Sequence, residues 1–84
     1  MESEDAKKTQ RFILNLIGSH LEQIAIWKMC IEEKHSLDLA YNMVSYYKDW
    51  NRELENEYMK NSMYIKNGCY EAVEFPERKE PPKF

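Results

Sequence analysis

From Ile13 to Ile31 the apolar residues Ile13, Leu14, Ile17, Leu21, Ile24, Trp27 and Ile31 recur every three or four positions. That spacing lines them along one face of an α-helix, since a turn takes 3.6 residues. The run ends in Glu32-Glu33-Lys34-His35, and Ser36 then stands where a second helix can be capped. A second stripe follows through Ala40, Val44, Tyr47, Trp50 or Asn51, Leu54, Tyr58 and Ile65. Asn67 and Gly68 close it, because both tolerate the left-handed conformation that ends helices. Ser3 ahead of Glu4 and Asp5 gives the first helix a cap and an acidic first turn. The spacing predicts helices over about 4–34 and 37–66.

Gly18 is the one interruption, and Ser19-His20-Leu21-Glu22 after it fits a capping box, so a kink or a break is an alternative there. Ile17 and Leu21 nevertheless carry one stripe across the glycine, and a mid-helix glycine costs only about 1 kcal/mol. A continuous helix is the expectation.

A turn at residues 35 and 36 makes facing positions sum to about 71. Ile31 then meets Ala40, Trp27 meets Val44, Ile24 meets Tyr47, Leu21 meets Trp50, Ile17 meets Leu54, and Ile13 or Leu14 meets Tyr58. Every pair is apolar or aromatic against apolar, so the aromatic stretch NMVSYYKDWNRELENEY reads as one wall of a core. The fold class expected is all-α, an antiparallel two-helix hairpin roughly 45 Å long at 1.5 Å per residue. Residues 1–68 form the hairpin domain.

The stripes leave apolar residues over. Phe12, Leu16 and Ile26 lie off the first, and Met43 and Tyr46 flank the second on one side, with Met59 and Met63 on the other. Exposed apolar surface costs about 25 cal/mol per Å². A second copy is the simplest cover, giving a homodimeric four-helix bundle. Flexible methionines also suit an adaptable surface for another protein partner. After Gly68 the pattern changes to the alternating CYEAVEF and then PERKEPPKF, which predicts an extended, partly disordered tail over 69–84. Its Tyr70 and Phe75 join the candidate contacts, docking on a partner or back on the bundle if the tail does not fray.

Composition narrows the function. The chain has 84 residues and carries 12 basic and 15 acidic side chains for a net charge of −3, scattered rather than blocked. A basic nucleic-acid footprint is missing, and a helix starting near Ser36 would offer Leu37, Asp38, Leu39, Tyr41 and Asn42 to a groove without a cation before Lys48. Two cysteines are too few for a secreted disulfide framework, and no apolar run is long enough for a membrane span, so an intracellular, reducing, cytoplasmic setting is expected. Glu32 and His35 have the Glu-x-x-His spacing of carboxylate bundles, but the pair occurs once and at the turn, so neither a metal nor another cofactor is expected. Nucleophile, base and phosphate-cradle motifs do not occur, which argues against an enzyme. The function expected is a non-enzymatic protein-interaction module, an adaptor, inhibitor or regulatory subunit. A metal-binding or redox bundle and a nucleic-acid-associated regulator are the alternatives.

Overall fold

The structure, a computed structural model, describes residues 3–82. Two helices of 30 residues each, α1 over Ser3–Glu32 and α2 over Leu37–Lys66, pack against each other as an antiparallel hairpin. A 3-10 turn over Tyr70–Ala72 follows, and then an extended strap. The molecule measures 49 × 20 × 15 Å, and no strand occurs among the described residues.

Both helices end in the same way. Gly68 adopts φ 74°, its N–H donates to the Ile65 carbonyl at 3.1 Å, and the Cys69 N–H donates to the Tyr64 carbonyl at 2.7 Å. These are the two bonds of a Schellman cap, which needs a left-handed residue at the glycine position. At the end of α1 the same pair of bonds runs from Lys34 to Ile31 at 3.1 Å and from His35 to Cys30 at 2.9 Å. Here the left-handed residue is Lys34, at φ 58°. This cap stops α1 at Glu32, two residues short of the expected 34. Ser36 also departs from expectation. Its φ is 47° and its side chain makes no capping bond, so only its carbonyl serves α2, accepting from the Ala40 N–H at 2.9 Å. The tight turn sets its backbone and takes the hydroxyl out of capping position. Gly18 breaks nothing, for α1 runs through it.

The register matches the expected one. His20 Nδ1 lies 2.7 Å from Asn51 Oδ1, and Gln10 Nε2 donates to Ser62 Oγ at 2.9 Å, pairs whose numbers sum to 71 and 72. Ile13, Trp50 and Leu54 form the buried cluster, with Leu16, Ile17, Tyr46 and Tyr58 packed around it. Two expected core positions are corrected. Leu14 is 48% exposed and Leu21 is 57% exposed, while their predecessors Ile13 and His20 are buried. One residue is about 100° of helix rotation, and the facing position goes to His20 because Asn51 satisfies its ring. Trp50, expected against Leu21, instead lies with its ring centroid 4.4 Å from that of His20.

The chain after Gly68 returns along the hairpin. Residues 70–72, expected to be extended, form the 3-10 turn because the chain must reverse, with the Ala72 N–H bonding the Cys69 carbonyl at 3.1 Å. From Val73 the strap is extended and lies over α1 and α2, with Val73 and Pro76 buried. The last two positions of the expected tail lie outside the described residues.

Candidate interaction site

Asn61 anchors the strap. It is buried on α2, its Nδ2 donates to the Glu74 carbonyl, and its Oδ1 accepts from the Glu74 N–H, both at 3.0 Å. A side-chain amide bonded this way reads an extended backbone as a neighbouring strand would. Further along, the Tyr46 hydroxyl donates to the Lys79 carbonyl at 2.8 Å, and Lys79 Nζ lies 3.0 Å from Glu53 Oε1. The Phe75 ring stacks on Phe12 with centroids 4.9 Å apart. Side-chain bonds to the strap backbone at Glu74 and Lys79, an aromatic stack and an ion pair thus hold the strap.

Beneath its far end lies an aromatic group. His20 is flanked by Tyr47 and Trp50, at centroid distances of 5.0 and 4.4 Å, and Tyr46 lies 5.7 Å from Trp50. Arg78 and Pro81 line an open cleft with His20, Tyr47 and Trp50. Asn51 Nδ2 donates to the Ile17 carbonyl at 3.3 Å, which leaves Asn51 Oδ1 to accept from His20. Neutral His20 therefore carries its proton on Nδ1. Burial lowers its pKa below the ordinary histidine value, against a smaller opposing pull from the Asn51 bond.

The near end of the strap is acidic. Glu53, Glu57, Glu74 and Glu77 surround a cleft of about 670 Å³ that also meets Trp50, Phe75 and Lys60. Burial, and then the carboxylates of Glu74 and Glu77, raise the pKa of Glu57, with a further push from Glu53 and an opposing pull from Lys60. Two of those four carboxylates belong to α2 and two to the strap.

The residues proposed from sequence as contacts divide into groups. Phe12, Leu16, Tyr46 and Phe75 come together around the strap, Leu16 half-buried against the core and Phe75 still 59% exposed. Met43 and Tyr70 are half-buried. Ile26, Met59 and Met63 stay exposed, Met59 at 67%. Periodicity assigns Leu14 and Leu21 to the core and passes over Tyr41, yet all three are exposed. At about 100° per residue, Leu14 and Leu21 project roughly 160–180° round α1 from Phe12, and Tyr41 and Met59 roughly 140° round α2 from Tyr46. These four lie on the face opposite the strap. The signal that could have found the two leucines is His20 with Asn51, a complementary polar pair at facing positions, which sets the true centre of the stripe.

Glu32 ends α1 and His35 lies in the turn, both exposed. Among the described residues no group of three or more His, Cys, Asp or Glu side chains is arranged to hold a metal ion. Cys30 and Cys69 are free. No helix of the described residues is long and apolar enough to cross a membrane. In comparisons with known proteins, no family model, no curated protein and no solved structure matches this chain.

Proposed function

We propose that this protein is a non-enzymatic interaction module, an adaptor, inhibitor or regulatory subunit, that works by binding protein through an uncovered apolar face of its hairpin. The observation that carries the reading is the placement of Leu14, Leu21, Tyr41 and Met59, all more than two-fifths exposed, on the face the strap leaves bare. Area supports it. A compact monomer of this mass, 10.2 kDa, presents about 5,300 Å² of accessible surface by the general scaling with mass, whereas this chain presents 6270 Å². The excess is comparable with the roughly 800 Å² that one partner contributes to an interface of standard size.

The first cover for that face is a second copy. Two hairpins packed face to face bury the four residues twice over and form a four-helix bundle with a two-fold interface. Met63, one turn beyond Met59, extends this patch, whereas Ile26 projects away from it and remains for a further protein. Sedimentation equilibrium over a range of concentrations tests the self-association. The expected result is a mass of two chains that falls to one chain on dilution, and a single-chain species persisting at high micromolar concentration contradicts it.

A further inference from the structure

The strap occupies its groove without matching it. Much of what the groove offers is directed at backbone: Asn61 binds the N–H and carbonyl of Glu74, and Tyr46 binds the carbonyl of Lys79. Those contacts accept any extended segment, whatever its side chains. The side chains the strap supplies then fit in part and conflict in part. Pro76 is buried and Lys79 pairs with Glu53 at 3.0 Å. Phe75, however, stays 59% exposed, and beside its stack on Phe12 a cleft of about 240 Å³ lined also by Leu16, Trp50, Pro76 and Arg78 remains unfilled. The larger conflict is electrostatic. The strap brings Glu74 and Glu77 into a cleft whose α2 wall already carries Glu53 and Glu57, and like charges at such sites oppose binding. An occupant tethered through the short link after Gly68 tolerates this, because its effective concentration is in the millimolar range.

We propose that this groove is a docking site for an extended segment of another protein, with a Phe-Pro pair set among basic residues, and that residues 73–82 are a weak resident occupant which such a segment displaces. The groove itself defines that chemistry. It takes an apolar residue where Val73 is buried, an aromatic against Phe12, and a proline where Pro76 is buried. It takes cations where Glu74 and Glu77 now face Glu53 and Glu57, and the Lys79 to Glu53 pair already shows a cation seated on this wall. The inference concerns the strap side of the hairpin and does not depend on the opposite, apolar face.

The test uses the full chain and two labelled synthetic peptides. One repeats residues 69–84 with Cys69→Ser, and the second adds Glu74→Lys and Glu77→Lys. Fluorescence anisotropy at low ionic strength reads binding, and the Phe12 to Phe75 ring contact, followed by NMR, reads displacement. The substituted peptide should bind at least about tenfold more tightly than the repeat, as expected when two like-charge contacts become two opposite ones. Its binding should abolish the internal ring contact and weaken in high salt. In a Glu53→Gln, Glu57→Gln chain, which removes the groove-wall carboxylates and with them the Lys79 ion pair, the preference between the two peptides should collapse to near parity. Equal binding of the two peptides to the native chain would show that the groove is open to tail exchange between copies, and would overturn the proposal. So would failure of both to bind, binding that leaves the Phe12 to Phe75 contact intact, or a preference that survives loss of Glu53 and Glu57.

Discussion

His20 and Asn51, one on each helix, meet at 2.7 Å in the middle of the hairpin, and both are buried. Their bond fixes the rotation of α1 against α2, since it occupies a facing pair that apolar residues would otherwise fill. It also makes the hairpin sensitive to acid. Burial holds the His20 pKa below its ordinary value of 6.5, so the folded state favours the neutral ring while the unfolded chain takes up a proton at its usual pH. Stability should be constant with respect to this group above about pH 6.5 and fall as the pH drops below it, until the lowered folded value is passed. Urea melts at pH 7.5 and 5.5 should show the loss, and His20→Gln should flatten it. A native chain equally stable at both values would contradict the assignment.

The two helix ends differ by one residue type and should respond oppositely to substitution. Lys34 holds the left-handed position at φ 58°, where a Cβ is unfavourable by about 1 kcal/mol. Lys34→Gly should therefore raise stability by up to about 1 kcal/mol, and Gly68→Ala, at φ 74°, should lower it by a similar amount. Paired chemical melts decide both, and an unaltered midpoint for either would count against the caps as drawn.

Asn61 should control the strap and not the hairpin. The Glu74 amide, bonded to Asn61 Oδ1 at 3.0 Å, should exchange with solvent more slowly than its exposed neighbours. Asn61→Ala should remove that protection at a cost of about 1–3 kcal/mol for the two lost bonds, while amides around Ile13 and Leu54 stay protected. Hydrogen exchange reads each site separately. Retained protection at Glu74 would mean that other contacts hold the strap.

The hairpin was legible because its information is local: stripe spacing, the charged run at 32–35 and the Asn67-Gly68 stop place both helices and their register. The precise rotation of α1 was not. Leu14 and Leu21 look like core residues until His20 is paired with Asn51, and a polar pair in a core gives no signal to a count of apolar positions. The strap was half legible. Alternation after Gly68 pointed to extended chain, but the direction of return depends on Asn61, a residue whose one-dimensional context shows only a polar side chain in a helix. In the sequence Tyr46 and Phe75 stand out as contacts for the apolar surface they carry, whereas the structure adds a Tyr46 hydroxyl aimed at the Lys79 carbonyl.

The strap cleft should also respond to acid, in a direction opposite to His20. The raised Glu57 pKa means that protonation is easier in the folded state, so this group adds stability below its unfolded value near 4.5 and loses it as the pH rises through the folded value. Glu57→Gln should therefore stabilise the docked strap at neutral pH, visible as slower exchange of the Glu74 amide. Faster exchange in that variant would show that Glu57 attracts more than it repels.

The most direct test of the central claim, that the face of Leu14, Leu21, Tyr41 and Met59 binds protein, is a native mass spectrum. The chain should be isolated gently from its own host, beside a Leu21→Lys, Met59→Lys variant. The native chain should carry a second polypeptide, either another copy of itself or a different subunit, and the variant should fly as a single folded chain. A native chain found alone, at the mass of one polypeptide, or a variant that keeps its companion, would contradict the account.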